Sequence, residues 1–467
     1  MSDEVKTRKF KVPHTYVIIC IIILIMAVLT YIVPAGSYER VKDEVTGRTV
    51  VDPDTFQYVE SNPVKPFDLF KDVTLGMQAV SDIIFFMFII SGAFNIIIST
   101  GALESGISRV AVAFRNTGII LIPIVICIFA VFGFTIGMAE ETIIFVTLGV
   151  MLARALGYDA VVGTAMILLG AACGFTCGAL NPFTVGVAQG LAELPIFSGI
   201  AFRFFILAVM IVVTSWYIMR YAKKVKEHPE LSIVADLEKQ ESHKALDLSE
   251  LPELTTRHVL VLLAMAAGFI SIVVGVFKFG WYMDEIATAF LITGLAGGII
   301  GGYGPSKLAE KFVAGAKDIV FGALVVGLAR VILLVMQDGL ILDTIVHGLS
   351  QVVLKLPKGA TAMGMYVVQS LINYLIPSGS GQAAATMPIM VPLADVVGMN
   401  RQIAVLAFHL GDGFSNSILP YSASCMGCLS VAKIPWEKWA KWFGKLLLIW
   451  YACGFVFMFI AQAINYQ

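Results

Sequence analysis

The chain has 467 residues, and its 32 Lys+Arg against 33 Asp+Glu leave a formal net charge of −1, with none of the basic excess that marks a nucleic-acid-binding protein. Apolar residues make up 58% and charged residues 14%, with a mean hydropathy of +0.86, which excludes an ordinary soluble domain and leaves a polytopic inner or plasma membrane protein. Seven cysteines sit mostly in apolar runs, and Cys425/Cys428 lack the further ligands of a zinc site, so they read as small packing residues.

In chain order, the first apolar run, Tyr16 to Val33, follows Lys6, Arg8, Lys9 and Lys11. No Ala-x-Ala-like site comes after it, so it reads as the first span, at about 14–34. Further spans are expected near 80–100, 160–195 with a break, 200–220, 256–277, 284–304, 318–337, 401–430 with a break, and 445–464. Each continuous run can cross about 30 Å of hydrocarbon. Two more apolar pairs, 118–156 and 360–397, have Gly-rich polar centres and read as re-entrant hairpins that enter and leave on one side, giving nine true spans.

Charge sets the orientation. With a cytoplasmic N-terminus (1–13), the cytoplasmic segments collect Arg109 and Arg115, Arg220, Lys223, Lys224 and Lys226, then Lys307, Lys311 and Lys317, and finally Lys433, Lys438, Lys441 and Lys445. The segment from Ala35 to Asp72 falls outside and holds eight Asp/Glu against five Lys/Arg. Residues 221–255 form a charged cytoplasmic linker between a first membrane half, 14–220, and a second, 256–467.

The halves share landmarks at a nearly constant offset. Asp82-Ile83 answers Asp318-Ile319, "TGALESGI" answers "DGLILDTI", Gly157-Tyr158-Asp159 answers Gly398-Met399-Asn400, and "CGFTCGALNPF" answers "DGFSNSILPYS". The run after Asp82 starts outside and the one after Asp318 starts inside, so the copies are inverted. The expected fold is therefore an all-α membrane protein of two inverted repeats, each with a flat connecting arm (103–116 or 341–357), a hairpin and an interrupted helix. Inverted repeats with broken helices are the mark of a secondary transporter; a channel is the competing class. The chain lacks a Walker motif, and His409, without a nearby nucleophile, reads as a structural hydrogen bonder rather than part of an enzyme site.

The candidate site follows from the interruptions. Gly174, Gly178, Asn181 and Pro182 in one half, and Gly411, Gly413, Asn416 and Pro420 in the other, open helices and offer side-chain oxygens, with Thr176 beside the first break. Pro377, Ser378, Gly379, Ser380 and Gly381 form one hairpin tip, where free helix N–H groups suit a carboxylate. The other tip, "GMAEETIIF", puts Glu140 and Glu141 beside Thr142. Burying two adjacent carboxylates costs several kcal/mol, which calls for a bound cation or an internal partner such as Arg330. Asp412 is a further candidate for substrate contact.

The stretches "GMAEETIIF", "GALNPFTVGVAQG", "IPSGSGQAAATMPIMVPLAD" and "FHLGDGFSNSILPYSA" resemble those of bacterial membrane proteins labelled YfcC-like basic amino acid antiporters. These stand within the C4-dicarboxylate anaerobic carrier-like group of the ion transporter superfamily, and the likeness runs over residues 10–465. The resemblance implies an elevator in which the hairpins and broken helices move against a scaffold, usually in a homodimer. It also implies sodium at the broken helices, where Thr176, Asn181, Ser415 and Asn416 could supply oxygens. In the dicarboxylate and citrate branches the tips carry Ser-Asn-Thr; here they read Ala-Glu-Glu-Thr and Ser-Gly-Ser-Gly, which favours arginine- or ornithine-like substrates over dicarboxylates. A sodium- or proton-coupled dicarboxylate or peptide transporter is the alternative.

Overall fold

The computed structural model describes residues 15–467 except 43–48, 114–117, 182–183, 196, 242–253, 280, 282 and 358–359. The basic N-terminal residues, Arg115, Pro182 and the centre of the linker lie outside the described residues.

The chain is helical throughout, apart from two small antiparallel ribbons. After α1 (Thr15–Ile32), β1 (Gly36–Ser37) pairs with β4 (Gln57–Tyr58), and β2 (Arg40–Lys42) pairs with β3 (Thr49–Val51). The first half continues with α2 (Pro66–Ala79), α3 (Ser81–Ser99), α4 (Ala102–Ala113), α5 (Leu121–Ile136), α6 (Thr142–Ala155), α7 (Ala160–Cys177), α8 (Val185–Leu191) and α9 (Ile200–Glu227). The short α10 (Ala235–Glu241), α11 (Thr256–Val274) and α12 (Met283–Ile300) follow. The second half runs α13 (Pro305–Asp318), α14 (Val320–Asp338), α15 (Leu342–Leu354), α16 (Thr361–Asn373), α17 (Gly379–Val396), α18 (Arg401–Ser415), α19 (Ala423–Ala432) and α20 (Trp436–Ala463). Among the described residues six helices are long and apolar enough to cross a membrane: α3, the stretch Gly118–Thr135, α7, α9, α14 and α20. Their length and apolar composition make this a polytopic membrane protein, with α7 enclosed among the others.

Two elements depart from the sequence expectation. The segment between the first two spans contains α2, whose Lys65, Asp68, Lys71 and Asp72 hid it from a hydropathy reading; it packs along α14 instead of facing lipid. The last helix begins at Trp436, not near 445, because its first turns are buried against the protein rather than exposed. There the indole of Trp436 donates to Ile418 O (2.7 Å) and that of Trp439 to Ser417 O (2.8 Å). Two carbonyls of an unwound segment thereby gain partners that the hydrocarbon would not supply.

α7 is enclosed by the two arms that precede it, and glycine makes that possible. A Cβ on Gly174 would sit 1.9 Å from Ala130 O of α5, and one on Gly163 would sit 2.5 Å from Gly149 O of α6. Only backbone-to-backbone approach fits there. In the second half α16 and α17 are held together through buried amides: Gln382 Nε2 donates to Gln369 Oε1 (2.7 Å), and Gln369 Nε2 donates to Thr386 Oγ1 (3.0 Å). α3 packs along α13, with Ser91 Oγ donating to Gly315 O (2.8 Å) and Asn95 Nδ2 to Lys311 O (2.7 Å). Parts of α3, α4, α11 and α12 share a small hydrophobic core, while a larger one joins the hairpin arms, α7, α9, α14, α18 and α20.

Outside the apolar layers, Arg40 forks onto Asp343 at 2.8 and 3.0 Å, tying the ribbon segment to α15. At the other end Lys438 donates to Asp236 (2.5 Å) and holds that carboxyl below its usual range, which docks the α10 region onto α20.

Candidate functional site

The four interruptions of the helical pattern converge. α5 ends at Gly137, which is left-handed (φ +67), and α6 starts at Thr142. A Cβ on Gly137 would meet Asn181 Oδ1 at 2.5 Å, and Leu180 N donates to Phe134 O, so the first tip rests on the segment that separates α7 from α8. Within the tip Glu141 turns back to accept from Ala139 N (3.0 Å), while Thr142 Oγ1 donates to Ala139 O (2.5 Å). No other described residue donates to the Glu140 carboxylate.

The second tip is built by Ser378, whose Oγ accepts from Gly381 N (3.4 Å) and caps α17. As first-turn residues, Gly379 and Ser380 have N–H groups without intrahelical acceptors. The break between α18 and α19 is pinned by Asn373, whose Nδ2 lies within hydrogen-bond distance of Asp412 O (2.6 Å), Ser415 Oγ (2.6 Å) and Asn416 Oδ1 (3.0 Å).

Between the tips lies a cavity of about 270 Å³. Glu140, Glu141, Thr142, Ser378, Ser380 and Asn416 all line it, as do Thr184 and Tyr421 from the two breaks and Arg330 from α14. The other sequence candidates stand behind the wall. Asn181 supports the first tip, Thr176 Oγ1 packs where α7 crosses Gly413, and Ser415 is held by Asn373. Asp412 is fully buried, and neither of its carboxylate oxygens accepts a hydrogen bond; Oδ2 would lie 3.2 Å from a Cβ on Gly379. Arg330 pairs with neither Glu140 nor Glu141: it forms no ion pair with a described residue, and its Nε is buried without a partner.

Behind the cavity Arg203, also fully buried, places Nη1 2.8 Å from His409 Nδ1, and His409 Nε2 lies 2.9 Å from Thr184 Oγ1. A guanidinium only donates, so Nδ1 must accept and Nε2 carries the proton, within reach of Thr184 Oγ1. His409 is thus the structural hydrogen bonder its sequence context implied. Sequence reasoning passed over Asn373, Arg203 and the two indoles of α20. A lone Asn in the apolar run "QSLINYLIP" was the available signal for the first of these.

The model of the family described as "C4-dicarboxylate anaerobic carrier" matches residues 12–463. A protein of Escherichia coli (strain K12) with the name "Putative basic amino acid antiporter YfcC" is 33% identical over 100% of this chain and 99% of its own length. An uncharacterized protein of Haemophilus influenzae is 28% identical over 96% and 97%. Among solved structures, the YdaH transporter of Alcanivorax borkumensis aligns with TM-score 0.43 at 14% identity, covering 97% of this chain and 99% of its own. MtrF of Neisseria gonorrhoeae aligns at 0.44 and 16%, covering 95% of each.

Proposed function

The chain belongs to the C4-dicarboxylate anaerobic carrier family and is a secondary transporter of the bacterial inner membrane rather than an enzyme, and we propose that it exchanges or imports basic amino acids of the arginine or ornithine kind. The observation that carries this reading is the sharing of one cavity by Glu140, Glu141 and the Ser378–Ser380 tip, with neither carboxylate in an ion pair with a described residue. The acidic tip suits a side-chain guanidinium or ammonium, and the free N–H groups at the start of α17 suit a carboxylate. The name of the Escherichia coli relative points to the same class. A dicarboxylate would place its second anion against two carboxylates at like-charge cost.

In proteoliposomes loaded with unlabelled arginine, labelled arginine and ornithine are expected to accumulate by counterflow, while succinate does not. Succinate exchange without arginine exchange would move the protein to the dicarboxylate alternative.

The mechanism we propose is an elevator built from inverted repeats. Its support is positional: α2 and α13, and likewise α3 and α14, have matching ends 239 positions apart throughout (66 and 305, 79 and 318, 81 and 320, 99 and 338), and α9 and α20 have 28 residues each. In this reading the two halves, 14–220 and 256–467, are joined by the linker 221–255, and the N-terminus is cytoplasmic. Hairpins 118–156 and 360–397 travel with broken helices 160–195 and 401–430, while 80–100 and 318–337 stay with the scaffold, through which the carrier dimerises. The small core of α3, α4, α11 and α12 also takes in Ile144 of α6, so in this reading it is where the first hairpin would slide against the scaffold.

One contact between the two bodies is α19 on α14, where a Cβ on Gly322 would lie 3.3 Å from Ser430 Cβ, close to disulfide geometry. In a cysteine-free background, Gly322→Cys with Ser430→Cys is expected to crosslink on oxidation and stop transport, with reductant restoring it. Full transport by the crosslinked protein would sink the elevator and favour rocking halves.

A further inference from the structure

We propose that Arg330 anchors the α-carboxylate of the substrate, so that the cavity reads both ends of one basic amino acid at once; this deepens the basic amino acid reading above and rests on it. Arg330 stands in the interior of α14, an apolar helix of nineteen residues, where a guanidinium costs several kcal/mol unless it has a partner or a use. It has no ion-pair partner among the described residues, its Nε is buried and unsatisfied, and its side chain lines the cavity that Glu140, Glu141 and Ser378 also line. The electrostatic influence of Asp82 from α3 reaches it, yet no hydrogen bond or contact short enough for an ion pair joins the two.

The charges that face the cavity are therefore two carboxylates and one guanidinium. Arginine, lysine or ornithine near neutral pH carries the complementary set: two cations and one carboxylate. A neutral amino acid would leave one acid uncompensated, a diamine would leave Arg330 uncompensated, and a dicarboxylate would add two anions to two. Asp82, Arg203 and Asp412 are not among the residues that line the cavity and do not enter this balance. The fork of a guanidinium matches a carboxylate through two parallel hydrogen bonds, and Gly379 and Ser380, whose N–H groups have no intrahelical acceptor, line the same cavity.

The test compares L-arginine with agmatine, which is arginine without its carboxylate, by calorimetric titration of the full-length purified protein. Wild type is expected to prefer arginine by tenfold or more. Arg330→Met is expected to weaken arginine by about that factor and leave agmatine unchanged, so that the preference collapses. Should the Met variant fail to fold, Arg330→Gln, which keeps polarity without charge, is read in the same way; melting temperature and elution profile establish folding for each. An unchanged arginine-to-agmatine ratio overturns the anchor, whether both ligands weaken alike or neither does. Wild-type protein that binds neither arginine nor ornithine overturns the substrate reading and the anchor with it.

Discussion

Glu140→Gln is expected to abolish arginine and ornithine exchange, with binding weakened thirtyfold or more, while Glu141→Gln should weaken it less and lower the melting temperature. The asymmetry comes from how each carboxylate is already used. Glu141 spends one oxygen on Ala139 N at 3.0 Å and so holds the turn of the first tip, whereas no other described residue donates to Glu140. Glu140 also borders a second cavity, lined by Asp318, Ser91 and Asn95, so it stands where the site meets the cleft between α3 and the first hairpin. Losing one member of a desolvated charge pair costs on the order of 2–5 kcal/mol, which is about thirtyfold or more in affinity. The Gln side chain keeps shape and most hydrogen bonding, so folding should survive at position 140. Binding titrations and counterflow on the two variants decide it. Equal, wild-type-like arginine exchange in both would remove the tip carboxylates from the substrate site.

The candidate site is legible in the sequence only in part, for physical reasons. Interruptions of long apolar runs are conspicuous because hydrocarbon tolerates neither charge nor open backbone, and the expected hairpins 118–156 and 360–397 enclose α5 with α6 and α16 with α17. α7 with α8 fall inside 160–195, and α18 with α19 match 401–430 except for the last two residues of α19, for the same reason. What pattern alone does not carry is which side of a helix meets which neighbour. Asp412 and Asn416 are four residues apart in the same break, yet Asn416 lines the cavity and Asp412 lies beneath Gly379. Arg330 is 190 positions from Glu140, and only the packing of α14 beside α19 and the hairpin tips brings the two to one cavity. The helix α2 was hidden because Asp68, Lys71 and Asp72 interrupt its apolar residues, although Asp72 is buried and Phe67 and Phe70 are exposed.

Asp412→Asn is expected to raise the melting temperature and at the same time eliminate transport. A fully buried carboxylate with no hydrogen bond to either oxygen is a net cost to the fold, because desolvating an ionised group is offset only by a partner. The nearby groups supply little. Asn416 stands close without making that bond within hydrogen-bond geometry, and Arg203, the other fully buried charge of this region, is engaged with His409 instead. The amide replaces the charge at nearly constant volume, so the packing around Gly379 and Thr184 need not change and the desolvation cost falls away. A protein that keeps such a group against its own stability has a use for it, and stability bought by deleting a strained functional charge is commonly lost activity. In the transport cycle proposed above, that use would be a coupling sodium or proton held with Ser415, Asn416 and Thr176, Asp412 itself lying behind the wall of the substrate cavity. Thermal melting in detergent and counterflow in liposomes separate the outcomes. A lower melting temperature would reveal a partner for Asp412 that the resting fold conceals, and a stabilised variant that still exchanges arginine would strip Asp412 of any part in the cycle.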